Sequence, residues 1–160
     1  MTDRPAPGQG DTFPVPVRLL TPSARLPERA YEHDAAWDLH AAEEVAVPPL
    51  RRAVVGTGIA LGLPPQLAAL TLPRSGLAAE HGISLVNAPG LIDPGYRGEV
   101  RVVLLNTDVE ATFHVAVGDR IAQLLFVTPA SVRLALRDEL DETQRGDRGF
   151  GSSGTTSGRP

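Results

Sequence analysis

Short apolar segments separated by proline and glycine dominate this sequence and restrict the fold that it can adopt. The segments are rich in valine, isoleucine, leucine and threonine, and they cover residues 15–21, 37–42, 53–61, 67–72, 83–86, 100–106 and 121–127. Runs of this length and composition, closed by turn-forming residues, are typical of β-strands. Many short strands at close spacing predict an all-β, jelly-roll-like barrel or sandwich rather than alternating α/β units.

Two segments refine this prediction. Residues 100–106 are apolar at almost every position, which is typical of a strand that is buried on both faces. Residues 75–81 alone have helical character, so we expect one short helix.

The length, net charge and composition of the chain restrict the classes of function. A length of 160 residues fits one domain with tails. The net charge of −4 and the lack of a basic run argue against a nucleic-acid or anionic-membrane surface. Cysteine is absent, which excludes thiolate chemistry, and the four histidines lie at no metal-ligand spacing. Without a signal-peptide core or a run of about 18 apolar residues, we expect a cytoplasmic protein.

The composition changes at both ends of the chain. We expect a disordered N-terminal tail over residues 1–13, a β jelly-roll domain over 14–140 and a flexible C-terminal arm over 141–160. Residues 146–160 include five glycines, three serines and two threonines, which by composition indicates a disordered tail. The alternative is an arm that closes over an anionic ligand, because Arg145 and Phe150 stand among the glycines and serines.

A glycine-bracketed ribbon, residues 90–98, places an acid and an aromatic ring three residues apart. Its glycines permit backbone conformations or close approaches that residues with side chains resist, and the proline after Asp93 fixes one dihedral angle. Asp93 and Tyr96 are thereby presented in a fixed relation. Such a ribbon can hold a small planar ligand.

Two further stretches are candidates for binding an anion. Pro73-Arg74-Ser75-Gly76 begins the helical turn, where backbone amides, a guanidinium and a hydroxyl attract negative charge. The alternative is an ordinary N-cap serine beside a surface arginine. Gln123 follows the turn at Gly118-Asp119-Arg120, and the alternative for it is a polar residue on a solvent face.

Asp38 begins a predicted strand, and taken alone it is a turn or edge residue. Together with Asp93 it could hold a divalent cation through oxygen or water, because Mg²⁺ prefers hard oxygen ligands and keeps several waters.

Taken in order, these pieces resemble the trimeric dUTPase (deoxyuridine triphosphatase) family over residues 14–154. Five ordered motifs are far more specific than one. The motifs are Ala36-Trp37-Asp38-Leu39 with Ala41-Ala42, Pro73-Arg74-Ser75-Gly76-Leu77 with His81-Gly82-Ile83, residues 87–98, Gly118-Asp119-Arg120-Ile121-Ala122-Gln123-Leu124, and Arg145-Gly146-Asp147 with Gly149-Phe150-Gly151-Ser152-Ser153-Gly154.

The resemblance implies a jelly-roll homotrimer with an exchanged C-terminal arm and active sites at the subunit interfaces. It implies hydrolysis of dUTP to dUMP and pyrophosphate with Mg²⁺, which limits uracil incorporation into DNA and supplies dUMP for thymidylate synthesis. The partners are then the dUTP substrate and two further copies of the chain, without nucleic acid or membrane.

The same resemblance implies the roles of individual residues. Asp93 is the general base that activates water, and Ser75 belongs with it to the catalytic set. Tyr96 packs against the deoxyribose. Asn87 and the ribbon backbone, including Gly90 and Ile92, pair with the uracil edge.

The resemblance also implies a set of residues that bind the phosphates, and Ser75 belongs to this set as well. Arg74, Gly76 and Gln123 hold the triphosphate. Asp38 acts on the water shell of Mg²⁺, which the triphosphate itself mainly holds. The arm is then a lid in which Arg145 meets phosphate, Phe150 stacks over uracil, and Gly151, Ser152 and Ser153 complete the contact.

Two positions depart from the family pattern. Ala36 stands where many relatives carry glycine, and Arg148 replaces the first of two glycines before Phe150. We expect Arg148 to alter closure of the lid rather than the chemistry.

Two rival functions share the fold. A dCTP deaminase carries a glutamate general base on the strand after the ribbon, where this chain has Val103. It also usually reads Arg-Ser-Ser in place of Arg74-Ser75-Gly76. A catalytically silent nucleotide-binding module would show damage at the base or the lid, whereas both are intact in this sequence.

Overall fold

The strand pattern folds as expected into an all-β protein. The structure, a computed structural model, describes residues 12–147 and 149, which fall into one unit ending at Pro129 and another beginning at Ala130. The described residues contain ten strands and one short helix, α1 (Ser75–His81). The strands are β1 (Val17–Leu19), β2 (Trp37–His40), β3 (Val45–Val47), β4 (Arg52–Leu61), β5 (Ala68–Leu72), β6 (Ile83–Leu85), β7 (Gly90–Ile92), β8 (Glu99–Asn106), β9 (Phe113–Val115) and β10 (Arg120–Val127).

The strands of the first unit pair into three antiparallel sheets. One sheet has the order β1-β4-β8-β6, a second has the order β2-β10-β5-β7, and β3 pairs with β9. Neighbours in the sheets are distant in sequence, which is the crossed connectivity of a jelly roll. The predicted fold class and the single short helix are therefore confirmed.

A single core joins the sheets. Leu39, Leu124 and Ile121 of the second sheet and Ile59 and Leu104 of the first are among its almost fully buried side chains. Burying a side chain of this size contributes about 1.5–3 kcal/mol to the free energy of folding.

Asn106 is the polar residue that connects the core of β8 to its neighbours. Its Nδ2 donates to the carbonyls of Val47 and Ala111, at 2.9 and 2.8 Å, and its Oδ1 accepts the Asp108 N–H at 2.9 Å. A fully buried amide with its hydrogen bonds made costs little, whereas the same group left unpaired costs about 1–3 kcal/mol.

Three short strands, β3, β7 and β9, lie outside the predicted strand segments, although the predicted ribbon includes β7, and the pattern overstated the burial of β8. β3 and β9 are three residues each and pair only with one another in the described chain, so neither has the length that makes alternation visible. β8 buries one face, with Val100 and Leu104, while Arg101 on the other face is exposed. In the single chain, β8 is thus buried on one side.

The second unit exposes a series of apolar side chains. Val132, Leu134 and Leu136 are 77%, 94% and 96% exposed, and they alternate with more polar positions. Period-two alternation is typical of a β-strand. Large apolar side chains that are exposed to water in this way are energetically unfavourable. Within the described residues, no helix has the length and hydropathy needed to cross a membrane.

Candidate active site

The ribbon, residues 90–98, lines a cavity of about 230 Å³. β7 forms its first three residues and is the edge strand beside β5, so one side of the ribbon faces the cavity. Of the residues predicted for the site, this cavity brings together Asn87, Gly90, Ile92, Asp93 and Tyr96. It is also lined by Thr71, Leu91, Glu99, Val100 and Arg101.

A tight turn fixes Asp93 relative to Tyr96. The Tyr96 N–H donates to the Asp93 carbonyl at 3.1 Å, with Pro94 at the second position of the turn. The Tyr96 hydroxyl donates to the Glu99 carbonyl at 2.9 Å. The ring is therefore anchored at both ends, although 47% of its surface is exposed, while the Asp93 carboxylate is exposed beside it.

Two of the three ribbon glycines leave no room for a side chain unless a neighbouring side chain shifts. A Cβ at Gly90 would collide with the Thr71 hydroxyl, and one at Gly98 would collide with the Tyr96 phenol. At Gly95 a Cβ would meet no described atom within 4 Å. The prediction of close approaches is thus confirmed at the two ends of the ribbon and is wrong for its middle.

Ion pairs hold a second group of predicted residues in place. Asp38 accepts from the Arg74 Nε at 3.1 Å and from an Arg120 terminal nitrogen at 3.2 Å. Arg74 also donates to the Arg120 carbonyl at 3.0 Å. We call Asp38, Arg74 and Arg120 the Asp38 cluster. Because a guanidinium has five N–H donors, Arg74 keeps several for a further anion.

Asp38 is more buried than its sequence position suggested. β2 is indeed an edge strand, yet only 5% of Asp38 is exposed. The outer side of β2 is covered by an isolated bridge in which the Asp38 N–H donates to the Glu28 carbonyl at 2.7 Å. Two guanidinium groups compensate the buried carboxylate, since an unpaired charge at this depth would be strongly unfavourable.

The remaining phosphate candidates lie around this cluster rather than in the ribbon cavity. Gln123 of β10 stands opposite Asp38 on one side and Leu72 on the other, and it is only half-buried. α1 begins directly after Arg74, so Ser75 is its first residue and is exposed. Arg74 occupies the N-cap position, where no side chain of the described residues makes a capping bond. The alternative interpretation of Ser75 as the N-cap is therefore wrong.

Three polar or charged residues near the candidate site were not predicted as site residues. Arg120 was noted only as part of a turn motif, and Glu99 and Thr71 were not singled out. The Gly58 N–H donates to Glu99 Oε1 at 2.9 Å, and Arg101 lies 3.7 Å from the same carboxylate. A charged residue at the first position of β10 was the one available signal for Arg120.

Some of the residues predicted for the arm lie within the described chain and others lie beyond it. Arg145 is exposed and lies in the second unit. Arg148, Phe150, Gly151, Ser152 and Ser153 lie outside the described residues.

The described side chains form no group of three or more His, Cys, Asp or Glu residues that could hold a metal ion. The histidines serve elsewhere: His40 is buried with its Nε2 3.3 Å from Glu28, and His81 packs against the Phe113 ring.

Comparison with known proteins assigns the family. The family model described as dUTPase matches residues 23–154. This chain belongs to the dUTPase family. The match includes every candidate in the ribbon, the Asp38 cluster and the arm.

Relatives within the family are similar over nearly their whole length. The deoxyuridine 5'-triphosphate nucleotidohydrolase of Corynebacterium glutamicum is 47% identical over 146 residues, which is 91% of this chain and 98% of the relative. The enzyme of the same name from Mycobacterium bovis is 49% identical over 140 residues, covering 84% of this chain and 91% of the relative.

Solved dUTPase structures share the fold. A mutant dUTPase of Staphylococcus bacteriophage 80alpha with dUpNHpp aligns with a TM-score of 0.83 and 28% identity, over 89% of this chain and 99% of that one. A mutant dUTPase of phage phi11, described with a structural Mg(II) ion, aligns with a TM-score of 0.75 and 27% identity, over 79% and 98% of the two chains. The dUTPase fold of this chain is thus supported by both sequence and structure.

Proposed function

We propose that this dUTPase-family chain hydrolyses dUTP to dUMP and pyrophosphate. The observation that carries the proposal is the ribbon cavity, where an exposed carboxylate and an anchored aromatic ring stand beside an amide and a strand edge. At about 230 Å³ the cavity is smaller than a typical pocket for a whole drug-sized ligand. It fits a base and a sugar, with the phosphates outside.

Asp93 is the proposed general base. Its carboxylate takes a proton from a water molecule as the water oxygen bonds to the α-phosphorus, and the bond to the pyrophosphate oxygen breaks. A positioned base of this kind contributes about 10²–10⁴-fold to the rate. The turn that ties the Tyr96 N–H to the Asp93 carbonyl keeps the base in place.

Tyr96 is the proposed sugar platform. The hydrogen bond to the Glu99 carbonyl holds its hydroxyl away from the substrate, and Gly98 lies close to the hydroxyl end of the ring. A deoxyribose lying on this fixed ring leaves no space for a ribose 2′-hydroxyl. The ribbon thereby discriminates against UTP.

The base edge is read by the start of the ribbon. Asn87 supplies a side-chain amide, and the backbone of Gly90 and Ile92 supplies hydrogen-bonding groups at the cavity wall. Cytosine presents an amino group where uracil presents a carbonyl oxygen, so the same groups bind cytosine poorly.

The triphosphate is proposed to bind at the Asp38 cluster. Arg74 has donors left after its bonds to Asp38 and the Arg120 carbonyl, and Ser75, Gly76 and Gln123 flank it. Bidentate guanidinium contacts are well suited to phosphate oxygens. Asp38 fixes the plane in which Arg74 presents those donors.

Mg²⁺ fits this site as a companion of the substrate. A cation that prefers oxygen and keeps several waters would be held mainly by the triphosphate, and Asp38 is the carboxylate that would accept hydrogen bonds from its waters, through lone pairs that the arginines leave open. When bound, it reduces the cost of negative charge on the leaving pyrophosphate.

A homotrimer with an exchanged arm accounts for the exposed apolar surfaces. Val132, Leu134 and Leu136 are exposed in the second unit, and Val54 in β4 and Val86 directly after β6 are exposed in the first. A neighbouring copy that covered them would also bring the Arg145 arm, with Phe150, Gly151, Ser152 and Ser153, over a site. Light scattering should then give the mass of three chains, and the mass of one chain would contradict the assembly.

The decisive assay measures pyrophosphate release from dUTP, dCTP, dTTP and UTP, with Mg²⁺ and with a chelator. Release from dUTP alone that depends on the metal and is lost in Asp93→Asn is the expected result. Ammonia release from dCTP would instead establish the deaminase, and binding without turnover would establish a silent module. The proposal extends to a reaction in the cytoplasm, because a charged triphosphate does not cross a membrane unaided, and there it would limit uracil in DNA and supply dUMP.

A further inference from the structure

Arg97 is an exposed ribbon residue whose side chain folds back onto the turn that carries Asp93 and Tyr96. Its Nη1 donates to the Pro94 carbonyl at 2.5 Å and to the Tyr96 carbonyl at 2.8 Å. Both acceptors are backbone groups of the ribbon itself. One guanidinium nitrogen therefore bridges two points of the turn on which the proposed reaction depends.

The two bridged carbonyls lie on either side of Gly95. A Cβ on Gly95 would meet no described atom within 4 Å, and Gly95 is not among the described glycines with positive φ. Packing therefore does little to hold this residue, and glycine has more backbone freedom to lose than any other residue. The proline before it has no N–H and adds no backbone donor. The ribbon is least constrained at Gly95, and the Arg97 bridge spans that point.

The ring and the carboxylate on this turn are held differently. The Tyr96 hydroxyl donates to the Glu99 carbonyl at 2.9 Å, so the ring has an anchor outside the turn. The Asp93 carboxylate is exposed, and the backbone of the turn positions it. The Tyr96 N–H closes that backbone with a bond of 3.1 Å to the Asp93 carbonyl. A looser turn would thus move the base while the ring stayed in place.

We propose that Arg97 is a positioning residue whose bridge across Gly95 holds Asp93 in place as the general base. Proton transfer requires the carboxylate to stay within hydrogen-bond reach of the attacking water, at about 2.6–3.2 Å. A misplacement of about 1 Å can lower a rate by about 10²-fold. Loss of the bridge should therefore affect the chemical step more than the binding of dUTP.

This inference rests on the proposed function, and the experiment separates the two. Arg97→Met removes the donors and keeps an unbranched side chain, whereas Arg97→Lys keeps a cationic donor. Arg18→Met is the matched control, because it removes the same charge from an exposed position of β1, in the sheet that does not contain β7. For each variant, kcat and KM for dUTP are measured at low and high salt. Amide hydrogen exchange at the Tyr96 N–H reports on closure of the turn independently of activity.

We expect Arg97→Met to lower kcat for dUTP by about five- to thirtyfold, the range of one to two net hydrogen bonds, with KM changed less than kcat. Exchange at the Tyr96 N–H should become faster, because the turn opens more often. Arg97→Lys should recover part of both losses, since one ammonium group has three donors. Arg18→Met should show neither loss.

A second substitution tests the place of the bridge. Gly95→Ala meets open space at a φ that is not positive, and it reduces the number of conformations that the turn can adopt. In this background Arg97→Met should lower kcat by a smaller factor than in the wild type, because the turn then depends less on the bridge. Equal losses in the two backgrounds would overturn a role that acts across Gly95.

An unchanged kcat in Arg97→Met, with the wild type active, would overturn the role of Arg97. A rise in KM that disappears at high salt, with kcat unchanged, would overturn it in favour of simple attraction between the guanidinium and the triphosphate. No hydrolysis of dUTP by the wild-type chain would overturn the proposed function, and exchange at the Tyr96 N–H would still decide whether Arg97 holds the turn closed.

Discussion

The ribbon and the Asp38 cluster are held in place over very different distances in sequence. In the ribbon, Tyr96 is tied to a residue three positions before it, and its anchor at Glu99 lies three positions after it. In the cluster, Asp38 binds arginines 36 and 82 positions away. The ribbon is a local device that the rest of the fold only has to support. The cluster exists only once β2, β5 and β10 have come together.

This difference predicts how substitutions divide between chemistry and stability. Exposed groups on a locally closed turn can be changed with little effect on unfolding. Groups of a long-range buried ion pair contribute to stability and to binding together. The predictions below test that division, beginning with the largest expected effect.

Asp93→Asn tests the ribbon. We expect kcat for dUTP to fall by about 10²–10⁴-fold, because the variant cannot accept the proton of the attacking water. The melting temperature should stay at the wild-type value, since the carboxylate is exposed. Glu110→Gln, which neutralises an exposed acid between β8 and β9, is the control and should retain full activity. Residual kcat within tenfold of wild type would exclude Asp93 as the base.

Asp38→Asn tests the cluster. The substitution leaves two guanidinium groups without a carboxylate, and we expect a loss of about 2 kcal/mol in the free energy of unfolding. This is less than for a fully buried pair, because Arg74 and Arg120 are 23% and 45% exposed and are screened by solvent. Urea titration measures it, with Asp141→Asn in the exposed second unit as the control.

KM for dUTP should rise in the same Asp38→Asn variant, because Arg74 loses the partner that orients it. A double-mutant cycle with Arg120→Gln measures how much of the change in stability and in KM comes from the Asp38–Arg120 ion pair. Wild-type stability together with a raised KM would show that the cluster serves binding alone, and the contrast with the ribbon would fail.

Two ribbon glycines offer a matched pair. Gly90→Ala forces a methyl group against the Thr71 hydroxyl and should cost about 1–3 kcal/mol as overpacking, with weaker dUMP binding. Gly95→Ala meets open space and should lie within about 0.5 kcal/mol of wild type. Thermal unfolding and calorimetry of both variants measure the difference. Equal effects would mean that the close approach at Gly90 has no energetic consequence.

Asp108 lies outside both the ribbon and the Asp38 cluster, and we expect its substitution to have a smaller effect on stability. The backbone N–H groups of Ala111 and Glu110 donate to its carboxylate, each at 2.8 Å, and they hold the pKa of Asp108 below its ordinary value of 3.8. A lowered pKa in the folded state stabilises the protein above the ordinary pKa, and this stabilisation disappears as the pH falls through the folded-state pKa.

The difference in melting temperature between wild type and Asp108→Asn should therefore be constant near neutral pH and shrink below about pH 4. Because this carboxylate contacts neither the ribbon nor the Asp38 cluster, kcat and KM should be unchanged. A difference that grows on acidification would reverse the assigned sign.

The success of sequence reasoning followed the same division between local and distant contacts. The helix at Ser75–His81 and most strands were predicted, since periodicity and turn residues are local signals. β3 and β9 were missed because each is three residues long and has its partner more than sixty positions away. Thr71 and Arg120 were missed as site residues because cross-strand pairing brings them to the site.

By itself, the sequence determined that the chain is all-β, that Asp93 and Tyr96 lie on one glycine-bracketed turn, and that its motifs are those of a dUTPase. These properties depend on residues adjacent along the chain, where backbone sterics act directly. Only the tertiary structure decided that Asp38 is buried between two arginines, that Gly90 and not Gly95 leaves no room for a side chain unless a neighbour shifts, and that Thr71 faces the ribbon. Each of these depends on strand register, which is set by packing of the whole core.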